Sequence, residues 1–99
     1  MPYRIVYPPA TQAHFRYLTP RQRTLVFESV AQQLAYEPTV ETRNRKRLRP
    51  NPLASWELRI GNLRVYYDVE DDPQPVVMVA GVGIKRGNRV YIGGEVYPI

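Results

Sequence analysis

The clearest pattern in the sequence is an alternation of apolar and polar positions across residues 56–67. On both sides of Gly61-Asn62 every second residue is apolar, which is typical of two half-buried strands. Glycine tolerates a positive φ, so Gly61-Asn62 fits a type II′ turn and predicts a tight hairpin. This register places Arg59 directly opposite Arg64. Opposed like charges repel unless something anionic lies between them, so this face is a candidate anion-binding surface.

Two helices are predicted ahead of the hairpin, after a first strand over residues 3–7. A short helix over residues 10–18 has Thr11 as its candidate N-cap. A second helix begins at Thr19-Pro20, with threonine as the N-cap and proline in the first helical position, and runs through Tyr36. Its apolar residues recur at the helical period, so one face is expected to pack inward.

Strands are predicted for most of the second half of the chain. Residues 39–55 are rich in proline and charge and indicate an extended, exposed connection. Residues 76–82 are apolar throughout, which predicts a strand that is central or covered on both sides. Residues 89–92 and 95–97 flank Gly93-Gly94 and suggest a final short hairpin or edge segments. The order predicts an α+β fold, in which an N-terminal strand and a two-helix hairpin pack on a twisted, mainly antiparallel sheet.

Composition limits the size and the class of the protein. A chain of 99 residues forms one domain, residues 1–99. It has no cysteine and one histidine, which excludes disulfides and thiolate metal sites and gives a transition-metal site almost no support. No apolar run approaches the roughly 20 residues that span a bilayer. We therefore expect a cytoplasmic protein that uses no metal, no cofactor and no membrane.

The charge of the chain narrows the choice of partners. Its formal net charge is +5, and among its 14 basic residues only Lys46 and Lys85 are lysine. The planar fork of arginine matches phosphate and carboxylate geometry. This bias favours an anionic partner, either nucleic acid or an acidic protein segment. The alternative is a generally basic protein without a polyanionic target.

Basic residues concentrate in two places, one before the hairpin and one after the central strand. Residues 42–49 form the first group, which we interpret as an arm that tracks phosphates or as a docking strip for an acidic peptide. A solvated linker is the alternative interpretation. The candidate nucleic-acid-binding residues are Arg43, Arg45, Lys46, Arg47, Arg49, Arg59, Arg86 and Arg89.

Three stretches of the chain, residues 42–53, 56–69 and 79–91, resemble the RelE/ParE superfamily of toxins from bacterial type II toxin–antitoxin modules. The resemblance extends over nearly the whole chain and implies the microbial RNase type of fold. It also implies an antitoxin whose acidic or amphipathic segment wraps the basic sheet face. In RelE-like members the activity is metal-independent cleavage of messenger RNA on the ribosome, in which the 2′-hydroxyl attacks the adjacent phosphate.

The resemblance also implies catalytic roles. Arg64 falls on the family arginine that stabilises the phosphate, and Lys85 falls on a second cationic position. Tyr91 falls on the near-C-terminal tyrosine that some nucleases use. Where the best-known ribosome-dependent members have two lysines, this chain has Ser55 and Glu57. Glu57 is the candidate general base, or alternatively an ion-pair partner of the two hairpin arginines.

Each of these roles has a structural alternative. Arg64 would then pair with Glu57 or Asp68, and Tyr91 would be half-buried packing. His14, on a predicted helix, is expected at the surface. The missing lysines leave two other functions open: a ParE-like toxin that binds DNA gyrase without cutting RNA, or an inactive member that acts mainly through its antitoxin complex.

Overall fold

The computed structural model describes residues 2–98, in which two helices pack on a seven-stranded sheet. The elements are β1 (Arg4–Val6), α1 (Pro9–His14), a 3₁₀ turn (Phe15–Tyr17), α2 (Pro20–Leu34), β2 (Arg45–Arg47), β3 (Trp56–Ile60), β4 (Leu63–Glu70), β5 (Val76–Arg86), β6 (Arg89–Ile92) and β7 (Glu95–Tyr97). Strands β2 to β7 lie side by side in chain order and are antiparallel, whereas β1 pairs in parallel with β5. The predicted α+β class is confirmed.

The second helix begins as its sequence predicts. Thr19 Oγ1 accepts a hydrogen bond from the Gln22 N–H at 3.1 Å, and Gln22 Oε1 accepts one from the Thr19 N–H at 2.9 Å. This capping box satisfies two backbone donors that the helix itself leaves unpaired. The helix ends at Leu34, two residues before the predicted end, and it buries Val26, Val30 and Leu34 along one stripe.

The prediction that Thr11 caps the first helix is wrong. Pro8 holds the cap position and Pro9 begins the helix, as suits a residue with a fixed φ and no N–H. Thr11 is buried inside the helix, and its hydroxyl donates to the carbonyl of Val79 at 2.6 Å. The helix itself stops at His14, so its predicted extension to residue 18 is replaced by the 3₁₀ turn. The threonine therefore anchors α1 to the central strand.

The hairpin β3–β4 has the predicted register, with Arg59 opposite Arg64. Gly61 has a φ of 58° and no other residue of its turn has a positive φ, as a type II′ turn requires. Its apolar face joins the main core beneath the helices. The hairpin side chains in that core are Trp56, Leu58, Leu63, Val65 and Tyr67.

The apolar run after this hairpin belongs to β5, which lies at the centre of the sheet as predicted. Strand β4 pairs with it along one edge, and β1 and β6 share the other. The face of the sheet opposite the helices, here called the outer face, carries a second and smaller apolar cluster. Its buried members are Ala54, Tyr66, Val90 and Ile92. Because apolar side chains pack on both faces of the sheet at β5, neither side of this strand is polar.

Part of the connection predicted over residues 39–55 is a strand. Residues Arg45–Arg47 form β2, which extends the sheet beyond β3 and places Lys46 opposite Glu57. The Arg45 guanidinium donates to the main-chain oxygens of Gln33 and Val40, next to the end of α2. The segment is therefore held at both the sheet and the helix, and it is not a free linker.

Candidate functional site

Strand alternation decides which side chains share the outer face. On β4, Leu63 and Val65 point into the core beneath the helices, so Arg64 and Tyr66 point the opposite way. Their partners across the β3–β4 ladder are Arg59 and Glu57. Directly paired residues of antiparallel strands share a face, so these four polar side chains form one group.

Glu57 lies at the centre of this group and is held by Arg59. The Arg59 Nε donates to Glu57 Oε1 at 2.7 Å, with 9% of the glutamate side chain and 47% of the arginine side chain exposed. The carboxylate is thus almost fully covered while the guanidinium remains half in water. Of the two partners considered for Glu57, the structure pairs it with Arg59 and not with Arg64.

Arg64 is buried, and its guanidinium binds the turn of its own hairpin. Its Nη1 donates to the carbonyl of Gly61 at 2.7 Å and to that of Leu63 at 2.9 Å. The alternative pairing with Asp68 does not occur within residues 2–98, and the Asp68 carboxylate accepts instead from the Ser55 N–H at 2.8 Å. The repulsion expected between the opposed arginines is therefore relieved inside the chain.

Tyr66 is a polar residue of the outer face that sequence reasoning did not single out. Its side chain is fully buried, and its hydroxyl has no hydrogen-bond partner within residues 2–98. Burial and the nearby Glu57 carboxylate raise the pKa of Tyr66 above its ordinary value. The phenol therefore keeps its proton, and the Glu57 carboxylate beside it is the acceptor that a small side-chain movement would provide.

Lys85 lies at the far end of the same face. Gly83 is directly opposite Arg64 on β5, and Lys85 is the next outward-facing residue along that strand. Diagonal neighbours of this kind lie roughly 7–8 Å apart. Lys85 is thus a diagonal neighbour of Arg64 on the outer face.

The other end of the outer face opens into a basic groove of about 500 Å³ beside β2. Its cationic lining consists of Lys46, Arg47, Arg49 and Arg59. Among the described residues that line the groove none is acidic. Four of the eight predicted nucleic-acid-binding residues therefore surround one concave surface, which is the arrangement that a phosphate backbone needs.

The remaining predicted cations lie elsewhere. Arg45 is used by the fold at the end of α2, and Arg43 is exposed in the loop before β2. Arg86 and Arg89 are exposed at the tip of the β5–β6 hairpin, where they are direct cross-strand partners. They follow the alternation of β5 and β6 onto the helix side of the sheet.

Tyr91 also lies on the helix side. It is paired with Ile84, a member of the main core, and the Arg86 guanidinium carbon lies 5.5 Å from the centroid of its ring. The sheet thus separates Tyr91 from Glu57, Arg64 and Lys85. Three of the four predicted catalytic residues share a face, and the fourth does not.

Sequence reasoning also missed His14, which is half-buried although it was expected at the surface. Its Nδ1 accepts a hydrogen bond from the Val82 N–H at 3.3 Å, and burial lowers the pKa of its imidazole. Together with Arg86 and Tyr91 it lines a cavity of about 240 Å³. A single histidine on a short helix forms no recognisable motif with other residues, so the sequence does not predict that it lines a cavity.

Two further observations concern ions and membranes. Within residues 2–98, no group of three or more His, Asp or Glu side chains is placed to hold a metal ion. In the same part of the chain, no helix has both the length and the apolar character needed to cross a membrane.

Comparison with known proteins gives a likeness of fold. No protein-family model matches the sequence, and no curated protein matches it significantly. A chain in the crystal structure of the toxin–antitoxin complex RelBE2 from Mycobacterium tuberculosis superposes with a TM-score of 0.69 at 23% identity. The match covers 86% of this chain and 100% of that chain. The protein therefore has the fold of a chain from a RelBE-type complex, in agreement with the fold predicted from its sequence.

Proposed function

We propose that this protein is the toxin of a type II toxin–antitoxin module and that it inhibits translation by cleaving messenger RNA on the ribosome without a metal ion. The observation that carries the proposal is the basic groove, which leads along the outer face to Glu57, Arg64 and Lys85. The fold shared with a chain of a toxin–antitoxin complex supports the assignment as a toxin.

The basic groove suits the backbone of an RNA strand. Four cations around one concavity of about 500 Å³ can each neutralise a phosphate and release its counterions. These contacts carry no base information, so they would position the strand and leave the choice of sequence to other groups. An antitoxin segment with acidic side chains would compete for the same cations, which is how we expect inhibition to work.

The chemistry follows from the residues beside the groove. Attack by the ribose 2′-hydroxyl requires a base for its proton, positive charge for the phosphorane and an acid for the leaving 5′-oxygen. Arg64 and Lys85 supply the charge, and Glu57 accepts the proton once a phosphate draws Arg59 away. Lys85, which is exposed at the far end of the outer face, also supplies the proton for the leaving oxygen.

A specific observation favours a second candidate function. Glu57 and Arg64 both have partners within the chain, and Tyr91 lies across the sheet from them. A protein with this arrangement could act by binding alone, either as a toxin of the ParE type that targets DNA gyrase or as an inactive member of its module. In that case the basic groove would serve the antitoxin or the target protein.

The decisive experiment induces the protein without its antitoxin and maps RNA ends and DNA supercoiling in the same cells. The nuclease proposal expects rapid loss of messenger RNA with cuts inside codons, reproduced with purified ribosomes. Arrest of supercoiling with intact messenger RNA would instead support the gyrase-binding alternative.

Variants then locate the site. Lys46→Ala combined with Arg49→Ala should lower cleavage about tenfold or more, because two phosphate contacts are lost. Arg21→Ala removes one exposed charge from α2 and serves as the control that should cleave normally. Arg64→Ala should abolish both cleavage and growth inhibition, and full activity of that variant would exclude the role given to Arg64.

A further inference from the structure

The helix side of the sheet carries a second concavity, separated from the basic groove by the sheet itself. It lies between the end of α1, the 3₁₀ turn and the strands β5 to β7, and its volume is about 240 Å³. We call it the His14 pocket. The polar side chains that line it belong to His14, Tyr17, Arg86 and Tyr91, and none of its described lining residues is acidic.

The hydrogen bond to the backbone fixes what His14 presents to this pocket. Because its Nδ1 accepts the Val82 N–H, the proton of the neutral imidazole must sit on Nε2. The Cδ2–Nε2 edge of the ring faces Gly93, where an added Cβ would lie 3.1 Å from Cδ2 and 3.7 Å from Nε2. Gly93 also lines the pocket, so the Nε2–H donor lies at its wall. The lowered pKa of His14 agrees with this neutral form.

The tip of the β5–β6 hairpin, next to the pocket, carries two arginines. Arg86 and Arg89 are directly opposed across the Gly87-Asn88 turn, and within residues 2–98 neither forms an ion pair. Opposed like charges on one face repel each other, and an anion between them removes that cost. Arg86 also lines the pocket, so the unpaired charge lies next to the His14 donor.

Size and shape limit what such an anion could be. The volume is below the roughly 300–1,000 Å³ of pockets that enclose a whole drug-sized ligand, so only part of a larger molecule would enter. Tyr17 stands at the rim with 59% of its surface exposed, and the Gly93-Gly94 turn packs against its ring. An exposed aromatic ring beside a cationic side chain offers a stacking surface for a base and a charge for its phosphate.

We propose that the His14 pocket binds a nucleotide through its phosphate, held by Arg86 and the Nε2–H of His14, with the base stacked on Tyr17. Arg89 adds long-range attraction, and the Tyr91 ring supports the Arg86 guanidinium from below. This site goes beyond the proposed cleavage reaction, because it lies on the other side of the sheet and can be occupied in a protein that cuts no RNA.

The test is an NMR titration of the ¹⁵N-labelled full chain with adenosine 5′-monophosphate, adenosine and inorganic phosphate. The expected result is that adenosine 5′-monophosphate shifts the amide signals of Val82, Gly93 and Gly94, and that it binds more tightly than either fragment. Equal shifts with adenosine would exclude the phosphate contact. Shifts confined to residues of the basic groove, or none at millimolar ligand, would overturn the proposal.

Two substitutions of His14 separate its Nε2–H donor from its hydrogen bond to the Val82 backbone. In His14→Asn the amide oxygen can still accept the Val82 N–H, but the Nε2–H donor is lost, so affinity should fall about tenfold at nearly unchanged stability. His14→Gln keeps a donor near the Nε2 position and loses the backbone bond, so it should bind more tightly than His14→Asn while being less stable.

The charge contact has its own pair of variants. Arg86→Gln should weaken adenosine 5′-monophosphate binding about tenfold or more, because a charge-assisted hydrogen bond is removed. Arg21→Gln makes the same change in charge on an exposed turn of α2 and should leave binding unchanged. Wild-type affinity in both Arg86→Gln and His14→Asn would refute the site, whatever the outcome of the RNA-cleavage experiments.

Discussion

Two hairpins in this molecule turn at a Gly-Asn pair and place two arginines opposite each other on one face. They differ in whether those arginines have partners inside the chain. The β3–β4 hairpin turns at Gly61-Asn62 and the β5–β6 hairpin at Gly87-Asn88, with glycine φ angles of 58° and 63°. In the first, Arg59 has a carboxylate partner and Arg64 has two carbonyl partners. In the second, the opposed arginines at the tip have no ion pair within residues 2–98. The opposed arginines of the β3–β4 hairpin are therefore bound by groups of the chain itself, whereas those of the β5–β6 hairpin have no ion-pair partner within residues 2–98.

The difference arises from what surrounds each turn. Arg64 lies between β3 and β5 and is 8% exposed, so its guanidinium had to find partners inside the chain. The last pair between β4 and β5 is Leu63 with Ile84, so the tip of the second hairpin projects past its neighbour. Water solvates the charges there at little cost. Opposed arginines in a hairpin thus stay without partners inside the chain only where the strands on either side do not cover them.

The largest expected effect comes from Gly83 on β5, the strand of the second hairpin that pairs with β4 of the first. A Cβ at Gly83 would lie 2.5 Å from the Tyr91 carbonyl oxygen and 2.8 Å from Ile92 Cγ1, so Gly83→Ala must push β6 away from β5. We expect a loss of about 3 kcal/mol in the free energy of unfolding, measured with urea. Gly81→Ala is the matched control, because its nearest contact would be an ordinary 3.5 Å. Equal losses in both variants would contradict this account.

The next effect compares the two kinds of arginine directly. Arg64→Ala removes a buried guanidinium that binds two carbonyls, and we expect it to lower the free energy of unfolding by about 2 kcal/mol. Arg86→Ala removes an exposed charge and should change stability by less than about 0.5 kcal/mol. Urea unfolding of both variants tests the comparison. If Arg86→Ala were the more costly variant, the comparison between the buried and the exposed arginine would be wrong.

A smaller effect should follow from releasing Arg59. Glu57→Gln neutralises its buried partner, so Arg59 is free to contact one further phosphate in the basic groove. For a single-stranded RNA the slope of log affinity against log salt should steepen by roughly 0.7. Binding would become tighter at low salt while cleavage falls, because the proposed base is lost. A variant that both binds and cleaves better would exclude Glu57 as the base.

The smallest effect is a pH dependence that arises from His14, which α1 places against β5 of the second hairpin. Burial lowers the pKa of His14 in the folded protein below its ordinary value near 6.5. As the pH falls through 6.5 the unfolded chain takes up the proton first, so stability is lost on the acidic side and is complete above it. Urea unfolding at pH 7.5, 6.5 and 5.5 measures this loss. The His14→Asn variant should lack it, since the chain has no other histidine.

Local patterns predicted most of this fold. The register of the β3–β4 hairpin follows from alternation and a two-residue turn, and the start of α2 follows from its capping box. Strand β2 was missed because three consecutive basic residues show no alternation, and its pairing depends on β3, which is distant in sequence. The role of Thr11 was predicted wrongly because a threonine near the start of a helix is typical of an N-cap. The sequence does not show that its hydroxyl donates to a carbonyl of the distant strand β5.

The candidate site was less predictable than the fold, although one part could have been foreseen. The same two-residue turn rule, applied at Gly87-Asn88, pairs Tyr91 with Ile84 and so places it on the helix side. The partners of Arg64 could not be foreseen, since a backbone carbonyl is available near every turn. The hydrogen bond from the Val82 N–H to His14 depends on how α1 packs against β5. No sequence pattern within either element predicts that packing.

The anchoring of β2 has a further consequence for the energetics of binding. The basic stretch around Lys46 is held by a ladder to β3, by Arg45 at the end of α2 and by Thr42 Oγ1, which accepts the N–H groups of Asn44 and Arg45 at 3.2 Å and 3.1 Å. A disordered basic tail loses conformational entropy when it binds a polyanion, and that loss weakens the complex. Here the backbone has already been ordered by folding, so most of the electrostatic attraction can appear as affinity.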